Sequence, residues 1–241
     1  MGIQRAELLA GVDQVPGWLA RPAALTTIEL LDWQASMNFK GGILEIGVFC
    51  GKYFSILLNG AMQTGEKILG IDTFEFTDIE RVEREMEGIF GSACLGSFSL
   101  WKGRSDSFAE MDIFSEIGPS RFISVDGSHE AACVYLDLVL AEGLAGNYCI
   151  VAVDDFLNPL TLGVNQAVNM FFSQPRKLVP VAYTSNKLFL SHRVSAVAVL
   201  REIERIFGGG GDQFSEDFNM RLSRGRHHVE QVFHGFPIVI G

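Results

Sequence analysis

The sequence predicts an α/β domain in which a doubly wound, Rossmann-like and mostly parallel sheet carries helices on both faces. Residues 121–155 show the main evidence: β-branched runs at 121–125 and 148–153 flank a segment whose apolar side chains recur at helical spacing. Residues 41–63 repeat the order of short apolar strand, glycine turn and helix, and a further strand follows at 67–71. Alternation of strands and helices is typical of a parallel sheet.

Length and composition limit the possible functions. The chain has 241 residues and a formal net charge of −10, from 19 basic and 29 acidic side chains. This balance argues against electrostatic capture of nucleic acid. No apolar run approaches the ~20 residues of a membrane span, and the N-terminus lacks a basic region followed by an apolar core. We therefore expect a soluble, cytoplasmic protein that does not bind membranes.

The sequence suggests three divisions: an N-terminal helical segment at 1–40, a central domain at 41–207 and a C-terminal tail at 208–241. The first segment is expected to pack over one end of the sheet or against another subunit, which would allow a homo-oligomer. The tail is expected to be mainly solvated, with an added edge strand near 233–240, because its three histidines fit no common metal-site spacing. The four cysteines lack CxxC spacing and are expected to be reduced.

Three carboxylates follow two neighbouring strands of the predicted sheet. Asp126 ends the first strand of the 121–155 unit, and Asp154 and Asp155 end the second. Parallel strands joined by a helical crossover end at the same edge, so these side chains are expected to lie together. Close like charges need a positive partner, either a divalent cation such as magnesium or basic side chains. Turn and helix capping by single acids remains open.

A second stretch predicts a ligand site at the same edge. Residues 41–51, GGILEIGVFCG, contain an ExGxxxG pattern rather than GxGxxG, and a glycine turn before a helix lets backbone approach a ligand. Asp72 ends the next strand, 21 residues beyond Gly51, where an acid can accept hydrogen bonds from ribose hydroxyls. Arg104 and Ser105 follow a third strand and could touch an adenine. A simple turn, or capping by Asp72, is the alternative.

Taken together, EIGVFCG, GIDTFE, GRSDS, FISVDGSH and VAVDD resemble the class I S-adenosylmethionine-dependent methyltransferases. The pattern is most similar to the metal-dependent O-methyltransferases that act on sugar hydroxyls of natural products such as macrolides and aminocoumarins. GVNQAVNMFF and TSNKLFL extend the resemblance, which spans residues 15–192. It implies an antiparallel last strand, S-adenosylmethionine as cofactor and Mg²⁺ as the metal.

The resemblance also implies roles for individual residues, in three groups. The cofactor would be bound by Glu45, Gly47, Val48, Gly51, Asp72, Thr73, Arg104 and Ser105. Asp126, Asp154 and Asp155 would hold magnesium. His129, three residues after Asp126, would be the general base, with Asp126 beside it in catalysis. The sequence departs from the family at Asn147, in the usual glycine pair, and at Tyr53, where a small polar residue is common.

These observations predict a magnesium-assisted O-methyltransferase that acts on a small, hydroxylated and possibly sugar-bearing metabolite. A hydroxyl is a poor nucleophile at neutral pH, so a cation and a base would both assist its attack on the sulfonium methyl. A nicotinamide-dependent oxidoreductase is the first alternative, although GxGxxG and a TyrxxxLys pair are missing. A protein that binds the cofactor without catalysis is the second.

Overall fold

The computed structural model describes residues 2–241, which form one nine-stranded sheet with helices on both sides. The strands are β1 Gly42–Ile46, β2 Ile68–Asp72, β3 Phe98–Lys102, β4 Ser120–Val125, β5 Ala145–Val153, β6 Leu178–Thr184, β7 Lys187–His192, β8 Glu230–Phe233 and β9 Phe236–Ile240. The helices are α1 Arg5–Gln14, α2 Arg21–Ser36, α3 Lys52–Thr64, α4 Ile79–Phe90, α5 Glu110–Ile117, α6 Ala131–Leu144, α7 Leu162–Phe171, α8 Ala196–Gly209 and α9 Gln213–Ser223. Short 3₁₀ turns lie at Ser92–Gly96, Ser105–Ser107 and Arg226–His228.

The strand order confirms the predicted fold class. It is β3-β2-β1-β4-β5-β7-β6-β9-β8, and the first five strands in this order run parallel to one another. The chain reverses its direction of winding between β1 and β4, which creates the crevice where open α/β sheets bind ligands. β7 runs antiparallel to β5, as the resemblance implies. β6 and β7 form the predicted hairpin, whose turn residues Ser185 and Asn186 have positive φ.

Two apolar cores cover the two faces of the sheet. One contains side chains from α1, α2, α3, α4, α8 and α9, and the other contains side chains from α5, α6 and α7. The central strands are buried along their whole length, which explains their continuous apolar runs. The N-terminal helices pack beside α3 on one face of the sheet, whereas the sequence predicted packing over one end of the sheet or against another subunit.

A buried arginine ties α2 to the sheet at the end opposite the crevice. Arg121 is 1% exposed, and its Nε donates to Glu66 Oε2 at 2.5 Å while Nη1 donates to Gln34 Oε1 at 2.9 Å. Gln34 in turn donates hydrogen bonds from Nε2 to the carbonyls of Arg121 and Tyr148. A buried charge is tolerated only when it is paired and fully bonded, so this network fixes α2 against β4 and β5.

The segment after residue 208 differs from the predicted solvated tail. α9 buries Phe218 in the core beside α8, and β9 pairs in parallel with β6. The predicted added strand is present, but β8 rather than β9 forms the edge of the sheet. The apolar residues Ile238 and Val239 are buried, and their burial outweighs the polar composition that suggested a tail.

Within residues 2–241, no helix combines the length and apolar character that a membrane crossing requires.

Candidate active site

The predicted site residues meet at the carboxyl edge of the sheet, around the ends of β1, β2, β4 and β5. The turns after these strands continue the sheet's hydrogen bonding: Gly47 N donates to Ile71 O, Asp126 N to Ile46 O and Asp154 N to Val125 O, at 2.8–3.0 Å. These bonds fix the starting point of each loop. The edge is therefore a rigid frame from which the cofactor and acid residues project.

Gly47 allows two of these loops to meet. It has φ of +89°, and a Cβ at this position would overlap the carbonyl of Asp126. Gly51 also has φ of +89° and caps the N-terminus of α3, where the unpaired amides favour negative charge. The close approach and the free helix end form a cradle that suits the methionine and ribose portion of a nucleoside cofactor.

Asp72 shapes that cradle through hydrogen bonds to backbone. Its Oδ2 accepts from Val48 N and Phe49 N, both at 2.8 Å, and its Oδ1 accepts from Phe74 N at 2.6 Å. Phe49 and Phe74 have φ near +50°, a conformation that costs energy outside glycine. The carboxylate thus holds two strained turns, while Oδ1 keeps a lone pair for a ribose hydroxyl. Thr73, beside it, is half-buried.

Glu45 lies deeper, on β1. It is 1% exposed, and its Oε2 has no hydrogen-bond partner among the described residues. Burial, followed by the charge of Asp126, raises the pKa of Glu45 well above its usual range. A buried carboxyl with a free oxygen beside the glycine turn is the sort of group that a bound ligand satisfies.

Arg104 and Ser105, which the sequence predicted to lie beside an adenine, each contact another side chain of the protein. Arg104 makes a bidentate ion pair with Asp106, with Nε–Oδ1 at 3.0 Å and Nη2–Oδ2 at 2.8 Å. Ser105 Oγ donates to Asp137 Oδ1 on α6. Asp137 also lies near Gly127, at the end of β4, so it links the loops after β3 and β4. Sequence reasoning missed Asp137, because a single acid in an apolar helix gives no motif.

Asp137 also makes stability depend on pH. It is 2% exposed, and burial raises its pKa to about 6, against the Ser105 hydrogen bond. The unfolded value is about 3.9, so the folded state favours the protonated acid. Below about pH 4 the side chain is protonated in both states, so its burial carries no charge penalty and the full free energy of unfolding is present. As the pH rises to about 6, the unfolded state loses the proton first, and the free energy of unfolding falls. Above that, the buried charge costs about 3 kcal/mol, from two pKa units.

We therefore expect Asp137→Asn to raise the free energy of unfolding by up to about 3 kcal/mol at pH 7.5 and by much less at pH 4.5. The amide oxygen can still accept the Ser105 hydrogen bond, while the buried charge is gone. Urea denaturation at both pH values measures the difference. Asp112→Asn, at an exposed carboxyl on α5, is the control and should show no such pH-dependent gain. Equal effects of Asp137→Asn at the two pH values would contradict the assignment.

The three acids after β4 and β5 do converge, and a lysine lies between two of them. Lys187 Nζ is 3.1 Å from Asp154 Oδ2 and 3.9 Å from Asp126 Oδ2. Lys187 is 2% exposed, and its Nζ lies 4.3 Å from the centre of the Tyr53 ring. Burial raises the pKa of Asp126 above its usual range, against the opposing charge of Lys187. The positive partner required by the acids is therefore present within the chain.

Asp155 has separate partners and positions His129. Its Oδ1 accepts from Asn158 Nδ2 at 2.9 Å and from Asn186 Nδ2 at 2.5 Å, and its Oδ2 lies 3.1 Å from His129 Nε2. Asp155 has φ of +60°, a strained conformation stabilised by these contacts. His129 is half-exposed, so one ring nitrogen faces Asp155 and the other is free to reach a ligand. This is the arrangement of a base oriented by a carboxylate.

A glycine in the first turn of α7, Gly163, lies against the loop that carries His129. A Cβ on Gly163 would overlap the carbonyl of His129, so α7 packs directly against the loop. The position of His129 therefore depends on a close backbone contact as well as on Asp155.

The residues present do not fit a magnesium ion in this arrangement. Magnesium binds carboxylate oxygens at about 2.0–2.1 Å. An ion held by both Asp126 and Asp154 would lie next to the Lys187 ammonium, and Asp155 is already bonded to two amides and His129. Across residues 2–241, no group of three or more His, Cys, Asp or Glu side chains has a geometry suited to a metal.

Lys187 is the second residue that sequence reasoning missed. A signal was available: a lone lysine opens the apolar strand KLFL, directly after the hairpin turn. Its partner Tyr53 was also notable, as one of the two positions where the sequence departs from the resembled family. Recognising that the two side chains meet required the register of β7 on β5, which the sequence does not provide.

Comparison with known proteins agrees with the geometry. Residues 44–156 match a family model described as a methyltransferase domain, so the predicted resemblance is confirmed. The matched segment begins on β1 and ends just past Asp155, and it includes the ends of β1, β2, β4 and β5, whereas Asn186 and Lys187 lie outside it. No curated protein matches the sequence significantly.

Solved structures share the fold at low sequence identity. An O-methyltransferase from Bacillus cereus in complex with SAH is 14% identical, with a TM-score of 0.58, and the match covers 79% of this chain and 91% of that one. TomG from Streptomyces achromogenes, an O-methyltransferase of tomaymycin synthesis bound to SAM, is 16% identical, with a TM-score of 0.54 and coverage of 80% and 91%.

A third similar structure is CalS11, described as a TDP-rhamnose 3′-O-methyltransferase of calicheamicin biosynthesis. It is 17% identical, with a TM-score of 0.54, and the match covers 77% of this chain and 91% of CalS11. These likenesses confirm the Rossmann-like fold, and residues 44–156 match a methyltransferase-domain model on that fold.

Proposed function

We propose that the protein transfers a methyl group from S-adenosylmethionine to a hydroxyl of a small metabolite. The observation that carries this proposal is the convergence of the nucleoside cradle and the His129–Asp155 pair at one sheet edge. The cradle is formed by the Gly47 turn and Asp72. His129 Nε2 lies 3.1 Å from Asp155 Oδ2. The small hydroxylated substrate predicted from the sequence is part of this proposal.

The chain's own residues supply binding and proton transfer. The bound cofactor would supply an electrophilic methyl on a sulfonium. The cradle residues named above would hold it, with Glu45 beneath the turn and Ser105 beside the adenine. His129, oriented by Asp155, would accept the proton of the acceptor hydroxyl through its free ring nitrogen as the oxygen–carbon bond forms and the sulfur–methyl bond breaks, which leaves S-adenosylhomocysteine. Catalysis of this displacement depends mainly on alignment of the two reactants.

One finer expectation from the sequence, a sugar-bearing acceptor, stays a prediction. A sugar-bearing acceptor is supported by the likeness to CalS11, a TDP-rhamnose 3′-O-methyltransferase, although that substrate belongs to CalS11. Magnesium assistance, which the three acids led us to expect, is not part of this proposal, because Lys187 stands between two of them. No step of the proposed reaction therefore runs through a metal. Cytoplasmic location and a homo-oligomer also stay predictions.

Titration calorimetry with S-adenosylhomocysteine tests the cofactor assignment directly, with NAD and NADP as controls. We expect binding of the homocysteine compound in the micromolar range and no heat from either nicotinamide. Transfer of labelled methyl groups to a panel of hydroxylated acceptors then tests the reaction. Binding of a nicotinamide, or no binding of the homocysteine compound, would overturn the proposal.

A further inference from the structure

The position of Lys187 is fixed by the sheet. β7 runs antiparallel to β5, and the register pairs Val153 with Leu188. The residues just beyond this pair are Asp154 and Lys187, so their side chains leave the sheet side by side. The ion pair between Asp154 and Lys187 thus results from the strand pairing rather than from a flexible surface contact.

The Lys187 ammonium lies in a buried pocket formed by side chains of the protein. Lys187 is 2% exposed and Tyr53 is 6% exposed, with Nζ 4.3 Å from the ring centre. Tyr53 Oη forms a hydrogen bond of 2.7 Å with Thr27 Oγ1, which anchors the ring to α2. An ammonium over an aromatic face is attracted by the ring electrons. Although burial alone would lower it, the charges of Asp126 and Asp154 raise the pKa of Lys187 above its ordinary value.

The ammonium also accounts for the charges at this edge. Asp126 and Asp154 share Lys187, while Asp155 has Asn158, Asn186 and His129. Each acid that would have bound a dication already has a partner from the chain. A cation coordinated by the same oxygens would meet a like charge within a few ångströms.

We propose that the ammonium of Lys187 takes the position of a divalent cation between Asp126 and Asp154, so that this site works without bound metal. Lys187 is then a positioning residue: it neutralises the acid pair and holds the Asp154 carboxylate, 3.1 Å from its Nζ, at this edge of the sheet. The role of Lys187 in catalysis rests on the proposed methyl transfer. The replacement of a bound metal does not, because metal binding can be measured directly.

The first test is a titration of the full-length protein with Mn²⁺, in the presence of S-adenosylhomocysteine, with free Mn²⁺ followed by electron paramagnetic resonance. We expect no stoichiometric binding up to about 1 mM. Methyl transfer to an acceptor found in the panel should be unchanged by EDTA. One equivalent of bound Mn²⁺ in the wild type that Asp154→Asn removes would overturn the proposal.

The second test is Lys187→Met, which keeps an unbranched chain over Tyr53 but removes the charge. We expect this variant to gain one Mn²⁺ site and a rise in melting temperature with Mn²⁺, because the acid pair then lacks a counter-ion. Adding Asp154→Asn should abolish the gain. Lys177→Met, at an exposed lysine before β6, is the matched control and should bind no Mn²⁺.

The outcomes separate the two proposals. If Lys187→Met folds and gains no Mn²⁺ site, the ammonium does not replace a cation and the inference fails. If it does not fold, the wild-type titration decides alone. If S-adenosylhomocysteine fails to bind while the Mn²⁺ results hold, the proposed methyl transfer fails and the ammonium assignment stands.

Discussion

Gly47→Ala is expected to weaken S-adenosylhomocysteine binding at least about 100-fold, which corresponds to about 3 kcal/mol. Two costs combine at this position. The φ of +89° is unfavourable for alanine by about 1 kcal/mol, and the added methyl would overlap the carbonyl of Asp126. The obstacle is backbone on both sides, so the loops after β1 and β4 must separate. Calorimetry measures the loss, and thermal unfolding shows whether the variant stays folded.

Gly65→Ala separates these two costs. Gly65 caps the C-terminus of α3 with φ of +70°, and a Cβ there would have no atom within 4 Å. It therefore has the left-handed penalty without the overlap, and we expect it to lose stability with no change in cofactor affinity. If Gly47→Ala does not fold, Gly51→Ala replaces it, since the nearest atom to that Cβ would be the flexible end of Met86, at 2.9 Å. Unchanged affinity in folded Gly47→Ala would contradict a cofactor cradle at this turn.

The sequence was sufficient to predict this edge of the molecule because its residues lie directly after parallel strands. Strand ends are set by short apolar runs, and the loops that leave parallel strands gather at one edge of the sheet. The convergence of Asp126, Asp154 and Asp155 could therefore be predicted, as could that of Gly47 and Asp72. Local pattern and topology both support this inference.

The partners of those residues could not be predicted in the same way. Lys187 reaches Asp154 through an antiparallel register, and a slip of one residue would turn Lys187 to the other face of the sheet. Asp137 reaches Ser105 from one helix, and nothing in their separation of 32 residues indicates contact. The predicted solvated tail was wrong for a related reason: α9 buries Phe218 against α8, a contact that the polar composition of α9 does not indicate.

His129→Ala is expected to lower kcat by about 10²- to 10⁴-fold, the usual contribution of a positioned base. The acceptor hydroxyl keeps its proton without a group to receive it, whereas the nucleoside cradle is untouched. The measurement is methyl transfer to an acceptor found in the panel, paired with calorimetry for S-adenosylhomocysteine. The affinity should change by less than about twofold, because His129 lies outside the Gly47 and Asp72 turns.

Two further variants distinguish a base from a structural histidine. Asp155→Asn retains an oxygen to accept from His129 Nε2 but removes the negative charge that stabilises the protonated ring, so kcat should fall less than in His129→Ala. His228→Ala, in the 3₁₀ turn before β8, should leave kcat unchanged. A rate in His129→Ala close to that of the wild type would remove this histidine as the base. Asp126, the carboxyl of the acid pair with a raised pKa, would then be the group to test in its place.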